Sequence, residues 1–115
     1  MVKVLLADDD FTMVSLLKTL LRMEGYEVAT LMDQKGDVMD IIRREKPDIL
    51  MIDVFLGEHD GREIVGAIRL QPDLKDIKIV MVSGIDMMEE CLAAGANDFL
   101  LKPYMPEQLL EKQRS

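Results

Sequence analysis

Four apolar runs in this chain end in residues that could do chemistry. Ile49-Leu50-Met51-Ile52 leads into Asp53, and Val4-Leu5-Leu6-Ala7 into Asp8-Asp9-Asp10. The run from Ile77 to Val82 leads into Ser83, and Asp98 to Leu101 into Lys102. Three carboxylates cannot share a site without a compensating cation. A hard divalent ion answers that need, and Mg²⁺ prefers octahedral oxygens from one or two carboxylates, water and phosphate. An aspartate can attack phosphorus and form an aspartyl phosphate. A lysine and the metal can then neutralise the phosphoryl group while a hydroxyl bonds one of its oxygens. Each residue alone has a plainer reading: Asp10 as a helix cap, Ser83 as a turn residue, Lys102 as a surface lysine. Asp53 could cap the next helix, but Asp60-Gly61 lies nearer to it and is the better cap and turn signal. Recurrence at successive strand ends is what points to one site.

The elements that must position these residues follow from periodicity. An unbroken apolar run bounded by turn signals reads as a strand buried on both faces, as in a parallel sheet. Strands are expected at Lys3 to Ala7, Glu27 to Leu31, Ile49 to Asp53, Ile77 to Val82 and Asp98 to Leu101, the second more polar and nearer an edge. Between them, Phe11 to Glu24 carries a helical stripe of Met13, Leu16, Leu17, Leu20, Leu21 and Met23, stopped by Gly25. Asp37 opens a helix running through Lys46 and ended by Pro47. Gly61 to Leu70 is a third helix, and Asp86 caps a short fourth from Met87 to Ala94, closed by Gly95. Pro106 suits the first turn of a last helix. Alternating strands and helices imply right-handed βαβ crossovers and an α/β, doubly wound parallel sheet with helices on both faces. For five strands the flavodoxin-like order 2-1-3-4-5 is expected, with the switch point between strands one and three. Asp8 and Asp9 then meet Asp53 at the carboxyl edge, where ligands bind in such sheets.

Composition narrows the class. The 115 residues suit one domain, and 49% hydrophobic content argues against disorder. A net charge of −8 counts against direct nucleic-acid binding and against anionic membranes. No apolar stretch approaches the roughly 20 residues of a membrane helix, and the N-terminal run reads as a strand, not a signal peptide. The single cysteine, Cys91, excludes an intrachain disulfide and fits a reducing cytoplasm. It reads as a small core residue and not as a reactive thiol.

Together these stretches give the chain a family likeness. Leu5-Leu6-Ala7-Asp8-Asp9-Asp10, Pro47-Asp48-Ile49-Leu50-Met51-Ile52-Asp53, Asp60-Gly61, Val80-Met81-Val82-Ser83-Gly84, Gly95-Ala96-Asn97-Asp98-Phe99-Leu100 and Lys102-Pro103 occur in order. In this set the chain resembles the receiver domains of two-component response regulators over essentially all 115 residues. The resemblance implies a phosphoacceptor switch and not an enzyme. Asp53 would accept a phosphoryl group from a sensor histidine kinase or a histidine phosphotransfer protein. Mg²⁺ would sit on Asp8, Asp9, Asp53 and the backbone carbonyl of Phe55, with Asp9 the more direct of the acidic pair. Ser83 would be the switch hydroxyl, Phe99 the aromatic that moves inward with it, and Lys102 the phosphoryl-stabilising lysine. A cis peptide would precede Pro103. Phosphorylation would alter a face made by the fourth helix, fifth strand and fifth helix, which meets an output partner or effector domain.

Departures from that pattern carry their own expectations. Gly57 stands where the family often has proline, which would loosen the loop after Asp53. Ser83 and Lys102 are 19 positions apart, about one helical turn fewer than usual, so a shortened fourth helix is expected. The last helix is short as well, as in a chain that is trimmed or continues in a longer protein. Phe99 lacks a tyrosine hydroxyl. Phe55 and Ile85, two positions after Asp53 and Ser83, cannot orient a water by hydrogen bonding, so autodephosphorylation should be slow. Two rival readings remain. One is a receiver-like interaction module that is never phosphorylated. The other rests on Asp8-Asp9-Asp10-Phe11-Thr12-Met13, which resembles the haloacid-dehalogenase-like phosphatase motif, with Asp8 as nucleophile and Asp10 as acid/base.

Overall fold

The computed structural model describes residues 1–102, 107, 108 and 111. The expected cis peptide at Pro103 and the expected helix start at Pro106 lie outside the described residues; Glu107, Gln108 and Glu111 are described and helical. In chain order the elements are β1 (Lys3–Ala7), α1 (Phe11–Met23), β2 (Glu27–Thr30), α2 (Val38–Glu45) and β3 (Ile49–Asp53). Then come β4 (Phe55–Leu56), β5 (His59–Asp60), α3 (Gly61–Arg69), β6 (Lys78–Ser83), α4 (Met88–Ala94) and β7 (Asp98–Leu101).

The five long strands form one sheet in the order β2-β1-β3-β6-β7, every pairing parallel. This is the flavodoxin-like order read from the sequence. Side-chain alternation sorts the strands between two apolar clusters. Leu5, Leu50, Ile52, Met81 and Phe99 pack on one face with α2, α3 and α4 residues, including the buried Cys91. Leu6, Ile49, Met51, Val80 and Leu100 pack on the other against Val14, Leu17 and Leu21 of α1. The register brings the strand ends level: Ala7 lies beside Ile52, Asp53 beside Val82, and Ser83 beside Leu101.

Local chemistry fixes the helix ends. The carboxylates of Asp10, Asp37 and Asp60 accept first-turn amides from Met13, Met39 and Arg62 at 3.1, 2.9 and 2.9 Å, as N-caps do. Gly25, at φ +94°, ends α1 by donating to the Arg22 carbonyl at 3.0 Å. The fourth helix is short, at 7 residues. It starts one residue later than expected, with Asp86 accepting from the Met88 amide at 3.2 Å.

Two expectations change. The α1 stripe faces the sheet through Val14, Leu17 and Leu21, while Leu16 and Met23 are exposed. Val14, Leu17 and Leu21 share one helical face, and Leu16 lies about 100° from Leu17. The stretch after Asp53 is also not a plain loop. β4 and β5 form an antiparallel hairpin, pairing Leu56 with His59 around Gly57-Glu58. Gly57 sits at φ +59° in the first turn position, which two-residue hairpins of the II′ kind reserve for glycine.

Candidate functional site

Each site residue stands where a buried strand runs out. Asp53 closes β3 and is 6% exposed. One of its oxygens accepts the Phe55 amide at 2.9 Å, which follows from the tight turn into β4. The other accepts Lys102 Nζ at 2.5 Å. Gly61 makes that turn possible, because a Cβ there would run into the Asp53 carbonyl. Asp8, one residue beyond β1, is 2% exposed. Its Oδ1 accepts the Asp10 amide at 2.9 Å. Its Oδ2 lies 2.9 Å from Lys102 Nζ as an ion pair, off the line of a directed hydrogen bond, and is otherwise enclosed without a partner. Asp9 is exposed, and carboxylate oxygens of Asp8, Asp9 and Asp53 lie within 4.8 Å of one another.

One ammonium group therefore serves an acidic trio. Burial pushes the Asp8 carboxyl above its ordinary range; the Asp10 amide and Lys102 pull it back only in part, and the Asp53 charge adds to the rise. Burial alone would lower Lys102, but its bonds to Asp53 and Asp8 prevail and raise it. Carboxylate oxygens, one of them buried and unsatisfied, are the donor set of a hard cation. The residues present fit such an ion.

Ser83 is fully buried at the end of β6, and its Oγ accepts the Ile85 amide at 3.2 Å. Phe99 is buried on β7 within the α2–α3–α4 cluster. Phe55 and Ile85 are 55% and 60% exposed at the rim. A cavity of about 310 Å³ opens beside Asp8 and Asp9, bounded by Phe11, Lys18, Thr30 and Asp33. No spacing or motif in the sequence marks Lys18, Thr30 and Asp33 as neighbours of Asp8. They meet only because Thr30 lies beside Leu6 in the β1–β2 register and α1 folds back over both strands.

The sequence matches the response regulator receiver domain over residues 4–114. The chain belongs to that family. Receiver domains are parts of signalling switches, and this one has similar relatives in several settings. The response regulator MprA of Mycolicibacterium vanbaalenii is 32% identical over 117 residues, covering 99% of this chain and 49% of that protein. The alginate biosynthesis transcriptional regulatory protein AlgB of Pseudomonas putida is 32% identical over 108 residues, covering 93% of this chain and 24% of that protein. The chain thus spans about half the length of MprA and about a quarter of AlgB. Among solved structures, the chemotaxis response regulator CheY4 of Vibrio cholerae superposes with a TM-score of 0.86 at 30% identity, covering 99% of this chain and 97% of that one. A CheY-like receiver domain protein of Methanospirillum hungatei gives 0.84 at 31% identity, covering 99% and 91%. Among the described residues no helix is long and apolar enough to cross a membrane.

Proposed function

We propose that residues 1–115 act as one receiver domain in which Asp53 accepts a phosphoryl group from a phosphohistidine of a sensor kinase or phosphotransfer protein. The observation that carries this reading is the pairing of Asp53 with Lys102 at the strand end, beside Asp8 and Asp9. A carboxylate oxygen of Asp53 attacks phosphorus, the P–N bond breaks, and the neutral imidazole leaves. Lys102 offsets charge on the phosphoryl oxygens, and the Ser83 hydroxyl turns to bond one of them. Asp8, Asp9, Asp53 and the Phe55 carbonyl would hold Mg²⁺, which when bound neutralises the acids and the incoming phosphoryl oxygens. Phe99, buried beneath Ser83's neighbours on β6, would follow the hydroxyl. The Phe55 amide keeps Asp53 oriented meanwhile.

The face that responds is formed by α4, β7 and the chain after them, meeting an output partner or effector domain. A phosphatase reading loses support because Asp10, its acid/base, is engaged as the α1 cap. The lone buried Cys91 and the acidic charge fit a cytoplasmic setting. The test is intact mass after incubation with acetyl phosphate and Mg²⁺. A phosphoryl adduct on the unaltered chain that is lost in Asp53→Asn and in EDTA is the expected result. An adduct that persists in Asp53→Asn would sink the proposal.

A further inference from the structure

Gly57, where the family often has proline, does not loosen the stretch after Asp53 but closes a hairpin. Leu56 pairs with His59 and Phe55 with Asp60. The Gly61 amide donates to the Val54 carbonyl at 2.7 Å. In an antiparallel ladder, bonded and unbonded pairs alternate. With Val54 and Gly61 bonded, Phe55 and Asp60 form the unbonded pair, so the Phe55 amide and carbonyl both point away from β5. The amide goes to Asp53 Oδ1 at 2.9 Å. The carbonyl leaves β4 on that same edge, the one that faces Asp53.

Both ends of the hairpin are anchored. Leu56 is buried in the cluster that holds Leu31, Ile41 and Ile52. Asp60 caps α3 and pairs with Arg62 at 2.8 Å. The turn that joins the anchors depends on one backbone angle. Gly57 has φ +59°, and Lys46 is the one non-glycine residue with positive φ among the described residues, so Glu58 does not share it. A Cβ at position 57 would meet no atom within 4 Å. The need for glycine is therefore conformational and not a matter of space. L residues avoid this φ, and proline is locked at roughly −65°.

We propose that the Gly57 turn is a positioning device for the divalent cation. It sets the Phe55 carbonyl beside Asp53, so a residue confined to negative φ at position 57 weakens the metal although every ligand is present. Restoring the family's proline is then a loss and not a gain. The inference rests on the reading of Asp8, Asp9, Asp53 and the Phe55 carbonyl as the metal site, and it adds the residue that places the carbonyl.

The experiment titrates the chain with MgCl₂ alone and follows the amide shifts of Asp8, Asp9 and Phe55, with thermal unfolding in EDTA as a measure of the fold. Gly57→Pro and Gly57→Ala should each raise the Mg²⁺ Kd at least about tenfold, as loss of the support behind a ligand does. A chain made by ligation with D-alanine at position 57 accepts the turn's positive φ and should stay within about twofold of the unaltered Kd. Gly25→Ala is the matched control: Gly25 has φ +94° and open space around it, at the far end of α1. It should lower the unfolding midpoint in EDTA while leaving the Kd within about twofold. If Gly57→Pro does not fold, the comparison of L- and D-alanine decides. An unchanged Kd in Gly57→Ala, equal weakening by L- and D-alanine, or equal weakening by Gly25→Ala would overturn the inference while the metal site stands. Mg²⁺ shifts that are missing from the unaltered chain, or that survive in Asp8→Asn, would overturn the metal reading and the inference with it.

Discussion

Asp8 is buried, with one oxygen facing Lys102 without a directed hydrogen bond. A carboxyl whose pKa rises on folding stabilises the fold only below the pH at which the unfolded group titrates. That contribution is lost as pH rises through the folded value, so at neutral pH ionised Asp8 opposes folding. Asp8→Asn should therefore raise the metal-free stability at neutral pH by about 1 kcal/mol and abolish added stabilisation by Mg²⁺. Thermal unfolding in EDTA and in Mg²⁺ checks both parts; a metal-free midpoint that falls would contradict them. At the rim, Phe55 offers a phosphorylated Asp53 no side-chain hydrogen bond. Phe55→Asn should speed phosphate loss about tenfold by orienting water, read from the decay of the adduct mass; an unchanged decay would remove the explanation. The main site residues were legible because a charge ending a buried apolar run is costly unless used. Lys18, Thr30 and Asp33 were not, since only strand register carries them to Asp8.

At the scale of elements, long apolar runs marked β3 and β6 within a residue, because strands buried on both faces leave no polar positions to confuse the pattern. The β4–β5 hairpin escaped because each strand is 2 residues long. The α1 face was misread where exposed Leu16 and Met23 mimic core positions. One contact set had no sequence signature. Arg69, at the end of α3, donates to the carbonyls of Gly95, Lys75 and Ile77 at 2.8, 2.6 and 2.7 Å and to Asn97 Oδ1 at 2.9 Å. Asn97 Oδ1 also accepts the Ile79 amide at 2.6 Å. The guanidinium thus fastens the turn between α4 and β7 to α3 and to the start of β6. Arg69→Met should cost about 2–3 kcal/mol by leaving these acceptors unpaired. Urea unfolding gives the number, and faster amide exchange at Ala96 and Asn97 should accompany it. Unchanged stability would mean that water replaces the guanidinium.

For the molecule as a whole, the fold is nearly a consequence of strand–helix alternation, and the fold brings four strand ends to one edge. Charge is distributed to match: carboxylates gather at the edge of β1 and β3, and residues 79–101 carry no Lys, Arg or His. Asp8 and Asp53 share Lys102, so the choice of Asp53 over Asp8 as phosphoacceptor is the central claim to test. The direct measurement is borohydride reduction of the chain after acetyl phosphate and Mg²⁺, followed by peptide mass mapping, since an aspartyl phosphate is reduced to homoserine. Homoserine at position 53, with Asp8 and Asp9 unchanged, is the predicted result. Homoserine at position 8 with Asp53 intact would contradict the account.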